Sequence, residues 1–256
     1  MRNNSTWAPS ALSPTTWPRE AWRVPLTVLA AVGVVVFYVV PPIAYLIVAT
    51  LLHLIDPRHP FRSPDQLLIA QLVSYVPIAL YLGIVLPRLS HVSLRDLGFR
   101  TPVARELRVG ALGTLAMWLL VSVVGATIAA LTHRHDTENA IALMRQMKTP
   151  AEQTAFFLLA CVLAPMIEEL IFRVFLYNAM TRYFSVPTAI LASGVVFGVV
   201  HSGSLMQLLT VSVPLSVGGF VLAYVYAATR NYWASVTTHG LFNAISVLAI
   251  FVFHAK

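Results

Sequence analysis

Hydrophobic residues run along this chain in long blocks separated by short polar segments. The blocks cover about 24–54, 66–87, 107–132, 152–180, 187–202, 207–229 and 232–254. A helix needs roughly 20 apolar residues to cross about 30 Å of hydrocarbon, and most of these blocks supply that. The pattern predicts an all-α fold, a polytopic transmembrane helix bundle of about seven to eight spans. Residues 1–23, with Asn, Ser, Thr and several prolines, read as a flexible N-terminal tail. Residues 24–254 read as a single transmembrane helical domain. Pro41-Pro42 is expected to kink or break the first span, and Pro77 and Pro214 are candidates for the same effect in the second and sixth. The polar stretch 133–151 carries both signs of charge and reads as an interfacial helix or a loop.

Composition agrees with a lipid environment. The chain is 58% hydrophobic and 11% charged, against about 25% charged residues in a soluble domain. The formal charge of +7 is explained by arginines in short loops, so no nucleic-acid partner is expected. Ten basic residues fall on one side of the alternating spans and six on the other, the densest group being the five arginines between 88 and 108. This bias predicts a cytoplasmic N-terminus in an integral, multi-pass protein, in the cytoplasmic membrane if the source is prokaryotic. No cleavable signal peptide is expected, because the first apolar block is too long and lacks a clear cleavage site. The single cysteine, Cys161, lies in an apolar run and reads as a small buried hydrophobe.

Against that background, Glu168, Glu169 and Arg173 stand out inside the fourth block. An ionised group at a span centre costs roughly 2.5–3.5 kcal/mol on translocon scales, so two in succession need compensation. Glu169 and Arg173 are four apart, acid first, and can pair on one helix face. Glu168 points about 100° away and has Ala164 and Phe172 at four residues on either side. It is the carboxylate without a local partner. Later blocks carry Phe197 with His201 and His239 with Asn243, again four apart. At about 1.5 Å per residue, Glu168 is expected roughly 18 Å from the inner face, His201 roughly 21 Å and His239 roughly 10 Å. His53, His59, His91, His133, His135 and His254 lie in loops or near span ends and read as bystanders.

A buried carboxylate with two imidazoles and an amide suits hydrolysis. Glu168 can take a proton from water and return it to a leaving amine, with His201 orienting that water. His239 and Asn243 can donate to the oxyanion. Alternatively Glu168, His201 and His239 form a His₂Glu zinc site with an open position for water. A zinc-dependent and a metal-free mechanism are both open on the residues alone.

The three motifs Glu168-Glu169-x-x-x-Arg173, Phe197-x-x-x-His201 and His239-x-x-x-Asn243 resemble, in order, those of the CAAX-protease and bacteriocin-processing (CPBP, also called Abi) family of intramembrane proteases. The flanks agree, in Ala164-Pro165-x-x-Glu168-Glu169-x-x-Phe172-Arg173 and in Gly219-Phe220-Val221-Leu222-Ala223-Tyr224 leading through Asn231-Tyr232-Trp233 to His239. The resemblance covers about residues 150–250, the expected catalytic core. Val174 departs from it, since a glycine often follows the arginine there. The resemblance implies that Glu168 is the catalytic glutamate, with His201, His239 and Asn243 as partners and Glu169, Arg173 and Phe197 in support. It implies a peptidase acting on a membrane-associated peptide or protein, such as a prenylated CAAX tail or a bacteriocin leader. Two alternatives are a non-catalytic immunity or scaffold protein and a proton- or cation-coupled transporter.

Overall fold

A computed structural model describes residues 24–56, 64–90, 93–134, 144–145 and 147–254. The predicted tail at 1–23 lies outside them, as do His59, His91, His135 and most of the stretch 133–149. Every regular element among the described residues is helical. In chain order they are α1 (Val24–Leu51), α2 (Pro64–Leu80, continued through Tyr81–Val85 and Leu86–Ser90) and α3 (Ala104–Thr132). Then follow α4 (Pro150–Thr181), α5 (Val186–Val200), α6 (Leu208–Thr229) and α7 (Tyr232–His254). Six are long and apolar enough to cross a membrane, and α5 is the shorter apolar helix. This is an integral, multi-pass helical protein.

Of the kink or break expected at Pro41-Pro42, the break does not occur: α1 runs through both prolines as one helix. Within lipid a broken backbone has no water to bond to, so continuing past two missing N–H groups costs less than stopping. The fifth span is short. Its 15 residues reach only about 22 Å at 1.5 Å per residue, less than a full hydrocarbon core. His201 therefore sits where α5 ends, inside the bundle rather than at a surface.

Prolines elsewhere coincide with wide π-helical turns. Pro165 follows the π segment Leu159–Leu163, and Pro214 follows Leu208–Ser212. A π turn opens the backbone where the proline ring would otherwise meet a carbonyl. A second π segment in α4, Leu170–Tyr177, begins directly after Glu169. The two glutamates thus occupy one short α-helical stretch, Ala164–Glu169, between two widened ones.

α5 and α6 pack through glycines. A Cβ built on Gly219 would lie 2.8 Å from both the Cα and the carbonyl oxygen of Gly194, backbone atoms that cannot yield. Gly194 and Gly198 form the small-xxx-small spacing that lets membrane helices approach closely. Gly219→Ala is therefore expected to destabilise the folded protein by about 1–3 kcal/mol through overpacking. A thermal-unfolding midpoint in detergent equal to that of the parent would contradict this.

The turn from α6 to α7 is buried. Thr229 and Asn231 are buried, and Arg230 turns the chain in the left-handed region at φ 51°. The segment 93–103 covers them. Arg100 pairs with Glu106 and donates to the Thr229 carbonyl at 3.1 Å. Asn231 Nδ2 donates to Glu106 Oε2 at 3.1 Å and to the Arg100 carbonyl at 3.0 Å. The Tyr232 N–H donates to the Gly98 carbonyl at 3.0 Å. The start of α7, which carries His239, is thereby fixed against α3 and the 93–103 segment.

Candidate active site

The site forms where α4, α5 and α7 meet, with α2 alongside. Glu169 and Arg173 are wholly buried, and Arg173 Nε lies 3.2 Å from Glu169 Oε2. Arg173 Nη2 donates to the Gly219 carbonyl at 3.1 Å, which ties α4 to α6. Among the described residues its Nη1 has no hydrogen-bond acceptor. Instead the guanidinium lies 4.8 Å from the Phe197 ring centroid, a cation–π contact in a desolvated place. Phe197 also meets Phe172 edge-on at 5.2 Å, His201 at 4.6 Å and His239 at 5.5 Å between ring centroids. It is the packing centre of the cluster.

Glu169 does more than pair with Arg173. Its Oε1 accepts from His239 Nδ1 at 3.0 Å, and its Oε2 accepts from the Ser235 hydroxyl. An ionised, arginine-paired carboxylate can only accept, so the His239 Nδ1 carries hydrogen and its Nε2 points elsewhere. The same reasoning applies to His201. Its Nδ1 lies 2.6 Å from the Phe197 carbonyl, which also can only accept. Both imidazoles thus turn Nε2 toward Glu168. His201 Nε2 is 3.6 Å and His239 Nε2 is 3.8 Å from Glu168 Oε2. The other carboxylate oxygen, Oε1, accepts from the Tyr75 hydroxyl at 3.3 Å.

Asn243 sits differently from the other three. Its Nδ2 donates to the Ala160 carbonyl at 2.7 Å. In the π turn the Ala164 N–H bonds to Leu159, and Pro165 has no N–H, so the Ala160 carbonyl lacks a donor within its own helix. Asn243 supplies it from α7 and keeps one amide hydrogen for another acceptor.

Glu168, His201 and His239 thus come together from three helices, while Asn243 braces the backbone of α4. Three groups that sequence reading passed over join them: Ser235, Tyr75 and the Ala160 carbonyl. Ser235 lies four residues before His239, and that spacing was a usable signal. Tyr75 lies in a different span, and nothing in its surroundings marks it.

The donor chemistry of Glu168, His201 and His239 suits zinc, because both imidazole Nε2 atoms face one carboxylate while both Nδ1 atoms are held by acceptors. Tetrahedral ligands on zinc bonds of roughly 2.0–2.1 Å lie about 3.4 Å apart, slightly closer than the separations here. Among the described residues no group of three or more His, Cys, Asp or Glu is set to hold a metal ion as it stands.

Two comparisons with known proteins bear on the segment that carries this cluster. Residues 150–245 match the type II CAAX prenyl endopeptidase Rce1-like family. A Bacillus subtilis (strain 168) protein named "Putative membrane peptidase YdiL" is 24% identical over 162 residues, covering 58% of this chain and 63% of the relative. The chain thus spans a little under two thirds of that relative's length. No solved structure matches. The matched stretch carries Glu168, Glu169, His201, His239 and Asn243 on apolar helices. Over residues 150–245 the chain is similar to the type II CAAX prenyl endopeptidase Rce1-like family.

Proposed function

We propose that this protein is an intramembrane endopeptidase that hydrolyses a peptide bond in a membrane-associated peptide or protein, with Glu168 activating the water. The observation that carries this reading is a carboxylate facing two imidazole Nε2 atoms at 3.6 and 3.8 Å, inside a bundle of apolar helices. A water in that gap gives one hydrogen to Glu168 Oε2 and is oriented by His201 Nε2. As its oxygen attacks the scissile carbonyl carbon, one water proton moves to Glu168 and the carbonyl oxygen takes the negative charge. Collapse of the tetrahedral intermediate breaks the C–N bond, and Glu168 hands that proton to the leaving amine. The second water hydrogen stays on the new carboxylic acid.

The oxyanion meets the remaining amide hydrogen of Asn243 and, when protonated at Nε2, His239. Glu169 holds the His239 ring through Nδ1.

Glu168, His201 and His239 would hold zinc, which when bound supplies Lewis acidity and helps activate water. Metal-stripped protein that cleaves at full rate assigns the activation to Glu168 alone. Activity lost on chelation and restored by zinc assigns it to the three residues as ligands.

The direct test uses purified protein in proteoliposomes with two membrane-anchored peptides, one prenylated at a CAAX terminus and one a bacteriocin-type leader. Mass spectrometry is expected to find two fragments from one of them with the parent protein, and neither fragment with Glu168→Ala. Cation or proton flux with no fragment from either peptide would overturn the reading in favour of a transporter.

The bias of basic residues toward one set of loops supports a cytoplasmic N-terminus. With Cys161 replaced by alanine, a cysteine at exposed Ser93 is expected to react with a membrane-impermeant thiol reagent only from the inner side. Labelling from outside would reverse the orientation.

A further inference from the structure

We infer that Tyr75, on α2 and outside the family-matched segment, is a positioning residue for this hydrolysis: its hydroxyl holds one oxygen of Glu168 so that the other faces the two imidazoles. The inference rests on the endopeptidase reading above. Its geometric basis is a division of labour within one carboxylate. Oε1 receives the Tyr75 hydroxyl at 3.3 Å, while both imidazole Nε2 atoms approach Oε2. One donor on one oxygen fixes the plane of the carboxylate, which a single rotatable bond would otherwise leave free.

The hydroxyl is itself arranged for this. Tyr75 is buried, packed in the same apolar cluster as Ile78, Ile167 and Leu170. Neighbouring Ser74 does not compete, because its hydroxyl bonds back to the Ala70 carbonyl at 3.1 Å. The need for a donor is plain by comparison. Glu169 is met by Arg173, Ser235 and His239, whereas Glu168 Oε1 is met by Tyr75 from a helix that brings no charge to the site. α2 thus takes part in the chemistry as well as in packing, and residues before 150 acquire a role at the site.

Tyr75→Phe keeps the ring and removes the hydroxyl, so it separates positioning from packing. The variant loses a hydrogen bond to a charged group, and misaligning the base affects the chemical step. The variant is expected to lose about tenfold in kcat, with KM and thermal midpoint close to those of the parent. An infrared readout needs no substrate. The Glu168 carboxylate stretch, assigned by its loss in Glu168→Gln, is expected to shift in Tyr75→Phe as its hydrogen bond disappears.

An unchanged kcat with an unshifted band overturns the positioning role, as does a kcat loss that only follows a fall in thermal midpoint. Cleavage by the parent with an unaffected Tyr75→Phe leaves the endopeptidase reading standing and removes this one. A shifted band in a parent protein that cleaves no peptide removes the endopeptidase reading, and with it the catalytic purpose of the contact.

Discussion

Glu168→Gln is expected to leave the fold intact and to lower peptide hydrolysis by about a hundredfold to ten-thousandfold, the usual range for a general base. The amide has nearly the same shape as the acid but cannot take a proton from water. Nothing else in the cluster can replace it. Glu169 is held by Arg173, Ser235 and His239, and its position behind His239 keeps it away from the Nε2 side. The fold should tolerate the change because the side chain is 17% exposed and forms no ion pair with a permanent cation. The amide oxygen can still accept from Tyr75. The check is cleavage rate measured beside the thermal-unfolding midpoint. A variant that still cleaves within a few-fold of the parent, or that fails to assemble, would contradict this role.

Arg173→Ala is expected to do the opposite: it should damage the fold first. Arg173 is the largest wholly buried side chain and joins Glu169, the Gly219 carbonyl and the Phe197 ring. Removing it strands the Glu169 carboxylate in a desolvated place, and breaking a buried pair typically costs about 3–5 kcal/mol. Glu169→Gln strands the guanidinium instead and is expected to fall in the same range. Both should give lower folded yield in detergent and a lower unfolding midpoint than Glu168→Gln. Equal midpoints for the three variants would mean that the pair does not hold the helices together.

The helices were legible because lipid leaves the backbone few choices. A long apolar block must satisfy its own hydrogen bonds, so block length alone announces a helix. The same physics corrected the reading at Pro41-Pro42, where a break would have exposed carbonyls to hydrocarbon. The Glu169–Arg173 contact was legible because residues four apart share a helix face. What joins different helices was not. No spacing rule announces that Glu169 reaches His239 and Ser235 on α7, or that Tyr75 reaches Glu168 from α2.

Residue counting gave no hint of how the α6–α7 turn is built: it lies buried under the 93–103 segment, held by the Arg100, Glu106 and Asn231 contacts. Asn243 was legible as a polar residue one turn beyond His239. Its bond to the Ala160 carbonyl was not, because that vacancy arises only once α4 widens into a π turn before Pro165.

The central claim is that water, activated by Glu168 within the bundle, cleaves a peptide bond. It is tested most directly by running the proteoliposome reaction in water enriched in heavy oxygen and weighing the fragments. The account predicts one heavy oxygen in the new terminal carboxylate of the N-terminal fragment, formed by the parent protein and not by Glu168→Gln. Unlabelled fragments, or the same labelled fragments from both proteins, would contradict it.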